Sequence, residues 1–248
     1  MQMKKLFFLA FLILTSCSKR SDFNLTASSD IDDGEMVYLV QYKENIPVLK
    51  DSSSVMKGVF KFSDSISVPE MHYLFFKTIK GNIPVVLEPG DIRMKVFKDS
   101  LRSTSIDGTK SNDDFKTYLD ESSSLVKELN NIQNEINYNI ALNDSLLIDD
   151  LEQQFIDMRQ RLTEYEFDFM KNKNDSYISA LILQRMVFER SLDYDKADSI
   201  MNNFDETIKL TSPFLAVKKI IENFRLSNTE APVIGSFAPK FSGPGLDG

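Results

Sequence analysis

The sequence predicts an α+β protein in which a small antiparallel β-sandwich or barrel is followed by an all-α helical segment and an extended C-terminal tail. Residues 23–108 contain five glycines and four prolines, whereas residues 109–231 contain no glycine and one proline, Pro213. Apolar residues alternate with polar ones in the first part and recur every three or four positions in the second. The first period is that of a half-buried strand, and the second is that of an amphipathic helix.

Six short runs of β-branched and aromatic residues lie between the turn residues of the first part and predict strands. These runs are residues 23–27, 36–42, 58–62, 71–78, 85–87 and 92–97. The EPGD sequence at residues 88–91 indicates a tight turn, because proline presets φ and glycine tolerates positive φ. Strands at this spacing are typical of a small sandwich or barrel.

The second part predicts an antiparallel helical hairpin, because two amphipathic stretches are separated only by residues 141–144. The first apolar stripe consists of Tyr118, Ser122, Leu125, Leu129, Ile132, Ile136 and Ile140. The second consists of Leu147, Leu151, Phe155, Met158, Leu162, Tyr165 and Phe169. Asp144 is the expected N-cap of the second helix, since its carboxylate can accept hydrogen bonds from the first-turn amides.

Three further helices are predicted, each from a capping residue. Asp175 is expected to cap a helix over residues 176–192, which should be central because its ISALIL run is apolar nearly all round. Asp193 or Asp195 is expected to cap the next helix, which should extend through residue 208. Ser212 before Pro213 indicates the start of the last one, with Phe214, Val217, Ile221 and Phe224 on one face.

The first 17 residues, MQMKKLFFLAFLILTSC, have the pattern of an export signal, in which Lys4 and Lys5 precede nine apolar residues. Nine residues are too few to cross a hydrocarbon layer of about 30 Å, which needs about 20 in a helix. The segment resembles a bacterial lipobox: Leu14, Thr15 and Ser16 precede Cys17. That resemblance implies acylation of Cys17, attachment to membrane lipid and a location in the cell envelope.

An ordinary cleaved signal with an incidental cysteine is the alternative. The cysteine count argues against it, because Cys17 is the only cysteine and an exported protein with one unpaired thiol is unusual. Acylation on more than one position would make the attachment stable.

Three stretches, LKDSSSVMKGVFKFSDS, VVLEPGDIRM and IDGTKSNDDFKTYLDE, resemble an N-terminal domain of unknown function found in envelope lipoproteins of Bacteroidota. In that family the domain precedes a thioredoxin-like domain of the AhpC/TSA and TlpA type. One departure is Asp64, where the family often has glycine, and we expect a different turn there. Ser18-Lys19-Arg20 lacks the acidic run associated with surface display in this lineage, which favours the periplasmic side.

The tail VIGSFAPKFSGPGLDG resembles the entry to that thioredoxin-like domain, through Gly235, Ala238, Pro239 and Phe241. The resemblance implies that this second domain is truncated after its first residues. The predicted organisation is a signal peptide at 1–16, a lipidated tether at 17–22, a β-sandwich domain at 23–110, a helical domain at 111–228, and a linker with the start of a thioredoxin-like domain at 229–248.

The residues argue against several classes of chemistry. A formal charge of -8 and a pI near 4.9 make nucleic-acid binding unexpected, since phosphate contacts need a basic face. A thioredoxin-like reductase needs two cysteines, whereas this sequence has one and no tryptophan. His72 is the only histidine and lies in an apolar run, so a structural role is expected. Neither a metal nor another cofactor is expected, because no Cys/His cluster or Gly-rich phosphate loop occurs.

The sequence therefore predicts the membrane-anchored N-terminal module of a TlpA-like thiol-disulfide oxidoreductase lipoprotein, without catalytic residues of its own and with an envelope protein as a possible client. The alternative is a non-enzymatic envelope lipoprotein that binds a protein or glycan through the sandwich and the hairpin. A third hypothesis is a hydrolase using the paired acids Asp32-Asp33, Asp113-Asp114 and Asp149-Asp150. Four Asp-Ser-aliphatic triplets, beginning at residues 64, 99, 144 and 198, are similar to O-glycosylation sites of this lineage.

Overall fold

The computed structural model describes residues 22–142 and 145–229. Within these ranges the chain forms eight strands and then five α-helices, which confirms the predicted α+β class. The strands are β1 (Asp22–Ser29), β2 (Met36–Lys43), β3 (Ile46–Ser54), β4 (Val59–Ser65), β5 (Glu70–Phe76), β6 (Asn82–Leu87), β7 (Gly90–Val96) and β8 (Ser105–Asp107). The helices are α1 (Lys110–Leu142), α2 (Ser145–Asn172), α3 (Tyr177–Phe188), α4 (Tyr194–Asn202) and α5 (Ser212–Thr229).

The strands form a sandwich of two four-stranded sheets, with strand orders β4-β1-β7-β8 and β3-β2-β5-β6. Side chains from both sheets meet in one core, and the largest fully buried ones are Leu25, Val37, Phe60, Leu74, Val85, Leu87 and Ile92. One pairing differs from the predicted antiparallel sheet, because β1 and β7 run parallel. The chain between them builds the whole second sheet and then returns, and this long crossover is what a parallel pair requires.

Two strands were not predicted, and both lie at sheet edges. β3 carries the sequence IPVLKDSSS, and most of its residues are exposed, so it shows no alternation of apolar and polar residues. β8 is only three residues long. The EPGD turn at residues 88–91 occurs as predicted between β6 and β7, but these strands belong to different sheets, so the turn carries the chain from one layer to the other.

Helices α1 and α2 form the predicted hairpin, whose contact is a separate apolar cluster centred on Leu129, Ile132, Ile136, Leu151 and Met158. The buried apolar stripes of α1 and α2 do not continue to the turn between the two helices. Ile140 and Leu147, which were predicted to lie on them, are 55% and 43% exposed. At 33 residues, α1 is about 50 Å long.

Helix α3 is central as predicted, with Ile178, Ala180, Ile182 and Leu183 all buried. Its N-cap is Ser176, whose side chain accepts from the amide of Ile178, so the prediction of Asp175 is wrong by one residue. Asp175 instead pairs with Lys110 on α1.

Asp193 caps α4, as one of the two predicted alternatives. α4 ends at Asn202 rather than at 208, and a 3₁₀ turn, Ile208–Leu210, follows separately. Ser212 is the first residue of α5 rather than a residue before it. Phe214, Val217 and Ile221 are buried, whereas Phe224 is 43% exposed.

The helices pack against the outer face of the second sheet. Val86 of β6 and Met71 of β5 belong to the same apolar cluster as α3 and α5. The Tyr177 hydroxyl of α3 accepts a hydrogen bond from the Met71 amide at 3.0 Å. The predicted domain boundary at residue 110 remains a prediction. No helix within the described residues is both long and apolar enough to cross a membrane.

Several predicted features lie outside the described residues. They are the signal peptide and lipobox with Leu14, Thr15, Ser16 and Cys17, the cap Asp144, and the tail residues Gly235, Ala238, Pro239 and Phe241.

Candidate functional site

A groove of ≈560 Å³ lies where the two sheets and α1 meet. Its walls are residues 82–84 of β6, residues 101–106 leading into β8, and one face of α1. That face consists of Asn112, Phe115, Lys116, Leu119 and Asp120, which recur at the spacing of neighbouring helix turns. Because β6 and β8 are edge strands of different sheets, the groove runs along the side where the sandwich is open.

Asn112 closes one end of this groove by bonding to the edge of β6. Its side-chain oxygen accepts from the Val86 amide at 3.0 Å, and its side-chain nitrogen donates to the Val86 carbonyl at 2.7 Å. The same nitrogen contacts the Thr109 hydroxyl at 2.8 Å. Asn112 is 2% exposed, so the three bonds are made away from water. The amide side chain thus takes the place of a neighbouring strand at this position.

The first turn of α1 is fixed to the sandwich by Glu88, from the turn between β6 and β7. One carboxylate oxygen accepts from the Ser111 amide at 2.6 Å, and the other accepts from the Ser111 hydroxyl at 2.6 Å. A carboxylate is favourable here because the first-turn amides of a helix lack partners within the helix. Gly108 precedes the helix with φ +101°, and a Cβ there would collide with the Asp91 carbonyl. Glycine at position 108 is therefore required by the geometry of the chain before the helix.

The groove carries an unpaired cation. The Arg102 side chain is exposed and makes no hydrogen bond or ion pair with any of the described residues, whereas Lys116 pairs with Asp120 on the same helix. Apolar groups surround them: Ile83, Pro84, Leu101, Ile106, Phe115 and Leu119. The site thus combines an apolar surface with a guanidinium that has no partner in the described part of the chain.

Thr104 also lines the groove, and its hydroxyl oxygen is buried without a hydrogen-bond partner within the described part of the chain. Such a group gives up its bonds to water on folding and gains nothing in exchange. It therefore costs stability.

A second polar cluster lies on α1 around Asp114, which is 4% exposed. Its carboxylate contacts the ammonium groups of Lys110 and Lys173, each at 2.9 Å. Burial would raise the pKa of Asp114, but hydrogen bonds from Lys110, Lys173 and Ser176 outweigh it and lower the pKa. Two cations hold this carboxylate ionised, which suits a structural anchor between α1 and the α2–α3 connection.

Other members of the acidic pairs also have structural partners. Asp32 pairs with Lys98, Asp33 accepts from the Gly58 amide, and Asp150 accepts from the Gln154 side chain. His72 is 2% exposed, and its Nδ1 lies 3.2 Å from the Glu70 carbonyl. Burial lowers the pKa of His72. Within the described residues, no group of three or more His, Cys, Asp or Glu side chains could hold a metal ion.

A partly buried ionic contact also joins α1, α2 and α3. The Tyr118 hydroxyl donates to Glu166 at 2.7 Å, and Arg185 donates to the other oxygen of Glu166 at 2.6 Å. Burial, followed by the hydrogen bond to Glu166, raises the pKa of Tyr118. Tyr118 was predicted as a member of the apolar stripe, but its partner Glu166 could not be inferred from the sequence.

Residues 23–115 match the family model DUF4369, a domain of unknown function. The match begins in β1, covers both sheets and ends in α1 at Phe115. The DUF4369 domain therefore includes the two walls formed by the strands, together with Glu88, Arg102 and Asn112. This confirms the predicted domain of unknown function. A search of curated proteins finds no match for the chain.

The described residues contain none of the predicted site residues, because the lipobox and the tail sequence both lie outside them. The groove, in turn, was not predicted. The EPGD turn beside it was predicted, but no local sequence signal identifies Asn112 as the partner of Val86 or places Arg102 at the groove.

Proposed function

We propose that this chain is the membrane-anchored, non-redox module of an exported lipoprotein, and that it positions a thioredoxin-like domain which begins in its C-terminal segment. The observation that carries the proposal is the single cysteine, Cys17, which follows an apolar run and the small residues Thr15 and Ser16, with Lys4 and Lys5 before the run. A sulfur that holds lipid is not available for disulfide exchange.

The packing of the described residues supports a positioning role. Asn112, Glu88 and Tyr177 all bond across the junction between the DUF4369 sandwich and the helices. Fixed contacts of this kind would transmit the orientation of an anchored sandwich to whatever follows α5. The helical segment then acts as a spacer between the anchor and the next domain.

The anchor is tested by Cys17→Ser with Ser18→Ala as the matched control. Cells expressing each full-length chain are fed an alkyne-labelled fatty acid and fractionated. We expect label and membrane sedimentation for the natural chain and for S18A, and neither for C17S. Label retained by C17S, or absent from the natural chain, contradicts the proposal.

The redox part has two tests. The purified full chain should reduce insulin with dithiothreitol no faster than dithiothreitol alone, and a faster rate contradicts a non-redox module.

The thioredoxin-like part is tested by reading the coding DNA beyond the codon for Gly248. A downstream Trp-Cys-x-x-Cys supports it, whereas unrelated sequence in every frame contradicts it.

The second candidate function is that of a non-enzymatic envelope lipoprotein that binds a protein or glycan partner. Exposed apolar side chains near the hairpin turn favour it: Tyr138 is 66% exposed, and Leu142 is 58% exposed. Cross-linking on intact cells should then capture one saturable, stoichiometric partner that Tyr138→Ser together with Leu142→Ser removes. Capture that is unchanged by the double substitution contradicts this use of the hairpin.

A further inference from the structure

One wall of the groove between the sandwich and α1 is the edge of β6, and this edge cannot accept an added peptide strand. An open edge such as β6 can add a strand from a peptide through its free amide and carbonyl groups. Both backbone groups of Val86 are already bonded to Asn112, so they point away from β5. Pro84, two residues earlier on the same side, has no amide hydrogen to offer. A peptide strand therefore finds β6 already blocked.

The side chains of the remaining walls favour a small molecule with an apolar end and a charged end. Phe115 and Leu119 are one helix turn apart on α1, and Leu119 is 49% exposed although it faces an apolar neighbourhood. The cavity volume of ≈560 Å³ is in the range of small-molecule sites, which are mainly apolar with few polar groups. The apolar part of such a ligand would cover apolar side chains that are otherwise exposed to water.

The positive charge of Arg102 favours a negatively charged group at the other end of that molecule. The chain has a net charge of -8, yet Arg102 lies at this groove without a carboxylate partner among the described residues. The neighbouring Lys116 and Asp120 neutralise each other. A guanidinium offers two parallel N–H donors that match a carboxylate, which makes it a better partner for that group than an ammonium ion.

We propose that this groove binds a small amphipathic carboxylate, with the carboxylate on Arg102 and the apolar body against Phe115, Leu119 and Ile106. The proposal rests on the geometry of the DUF4369 domain and α1 and is independent of acylation at Cys17. Its failure would leave the membrane-anchor proposal untouched.

Binding is measured with the full-length chain in lipid nanodiscs by saturation-transfer NMR, with empty discs as the blank for partitioning into lipid. The probes are 4-phenylbutyrate and 4-phenylbutylamine, which share an apolar body and differ in the sign of charge. We expect the carboxylate to bind about tenfold more tightly than the amine, which is the effect of one charge-assisted hydrogen bond.

Two substitutions locate the site, and a third is the control. Arg102→Gln should weaken carboxylate binding by about tenfold, and Leu119→Asp should weaken it at least as much by placing a like charge on the apolar wall. Arg161→Gln, an exposed arginine on α2 without a partner among the described residues, should change nothing. Both groove residues are exposed, so the melting temperature should stay constant.

The proposal is overturned if the amine binds as tightly as the carboxylate. It is also overturned if R102Q and R161Q bind the carboxylate equally, because the probe would then lie elsewhere on the protein. Equal saturation transfer in loaded and empty discs means that the probe sits only in the lipid, and this outcome overturns the proposal too.

Discussion

The single side-chain amide of Asn112 forms hydrogen bonds with the edge of β6 that a neighbouring strand would otherwise form. That group bonds both to Val86 and to Thr109, while the helix that carries Asn112 is held by Glu88. The side chain therefore contributes to two things at once: it satisfies a sheet edge and fixes the start of α1.

We expect Asn112→Ala to lower the free energy of unfolding by about 2–4 kcal/mol, because it leaves a buried amide and a buried carbonyl of Val86 unpaired. Asn139→Ala is the matched control, since Asn139 is also a buried asparagine of α1, but its side chain bonds, among the described residues, only to the Glu135 carbonyl of its own helix. Its cost should be about 1 kcal/mol or less. Urea denaturation of both variants measures the difference, and equal costs would show that Val86 does not depend on Asn112.

Thr104→Val should stabilise the protein, because valine keeps the shape of threonine and removes a buried hydroxyl that has no partner within the described residues. A gain of about 1 kcal/mol corresponds to a rise of about 2–4 °C in melting temperature for a chain of this size. Thr117→Val is the control, since the Thr117 hydroxyl donates to the Asp113 carbonyl and its removal should bring no gain. Scanning calorimetry that finds T104V below the natural protein would contradict this account.

Within the described residues, the apolar contact between α1 and α2 is separate from the two larger apolar clusters of the molecule. Its cluster of Leu129, Ile132, Ile136, Leu151 and Met158 contains residues of α1 and α2 alone. A two-helix contact of this size has little apolar surface to bury, and regions with few tertiary contacts open most easily.

Ile132→Ala should cost about 2–3 kcal/mol locally, as for other truncations of a buried aliphatic side chain. Hydrogen exchange should then quicken for amides of α1 and α2 near residue 132, while amides of β1 and β7 keep their protection. Val85→Ala, in the sandwich core, is the comparison and should affect the strands. Uniform loss of protection in I132A would mean that the hairpin is part of one cooperative unit with the sandwich.

The elements with strong periodicity could be predicted from the sequence, and those set by long-range contacts could not. The stripes of α1 and α2 identify the hairpin because apolar spacing alone defines a helix face. β3 was missed because an exposed edge strand has no buried face to give it a pattern. Ser176 and Asp175 are both good N-caps, and only the three-dimensional contact of Asp175 with Lys110 decides between them.

The groove could not be predicted for a related reason. Its walls come from β6, from the segment before β8 and from α1, and no local pattern shows that these three meet. The turns that flank it, EPGD and DGT, were visible as turns, but the sequence does not tell that Glu88 reaches Ser111. The parallel pairing of β1 with β7 was likewise hidden, because the pattern of a strand does not encode the direction of its neighbour.

The whole protein should lose stability in mild acid through its only histidine. Burial lowers the pKa of His72 from its ordinary value of 6.5, and the contact with the Glu70 carbonyl offsets part of this effect. Well above pH 6.5 the imidazole is neutral in both the folded and the unfolded state, and it then contributes no pH dependence. As the pH falls toward and below 6.5, the unfolded chain takes up a proton more readily than the folded protein does. The free energy of unfolding therefore decreases as the pH is lowered, until the pH lies below the pKa of His72 in the folded protein.

His72→Gln should therefore flatten the dependence of the free energy of unfolding on pH between about 7.5 and 5. The measurement is a series of urea titrations in which slopes are compared, since glutamine changes the absolute value as well. Asp114, whose pKa is lowered from 3.8, retains its contribution in this window and loses it only at more acidic pH. An unchanged slope in H72Q would mean that His72 is equally easy to protonate in both states.

The parallel pair of β1 and β7 should form late in folding, because the two strands lie far apart in the sequence. Phe23 and Gly90 are partners across 67 positions of the chain, so β1, one of the two interior strands of the first sheet, gains β7 as its second neighbour only by closing a long loop. Closing such a loop costs entropy before the pairing repays it, whereas the hairpin of α1 and α2 nucleates from near neighbours in about microseconds to milliseconds. In a refolding experiment we therefore expect the hairpin to form before β1 pairs with β7, although the sandwich is synthesised earlier on the ribosome.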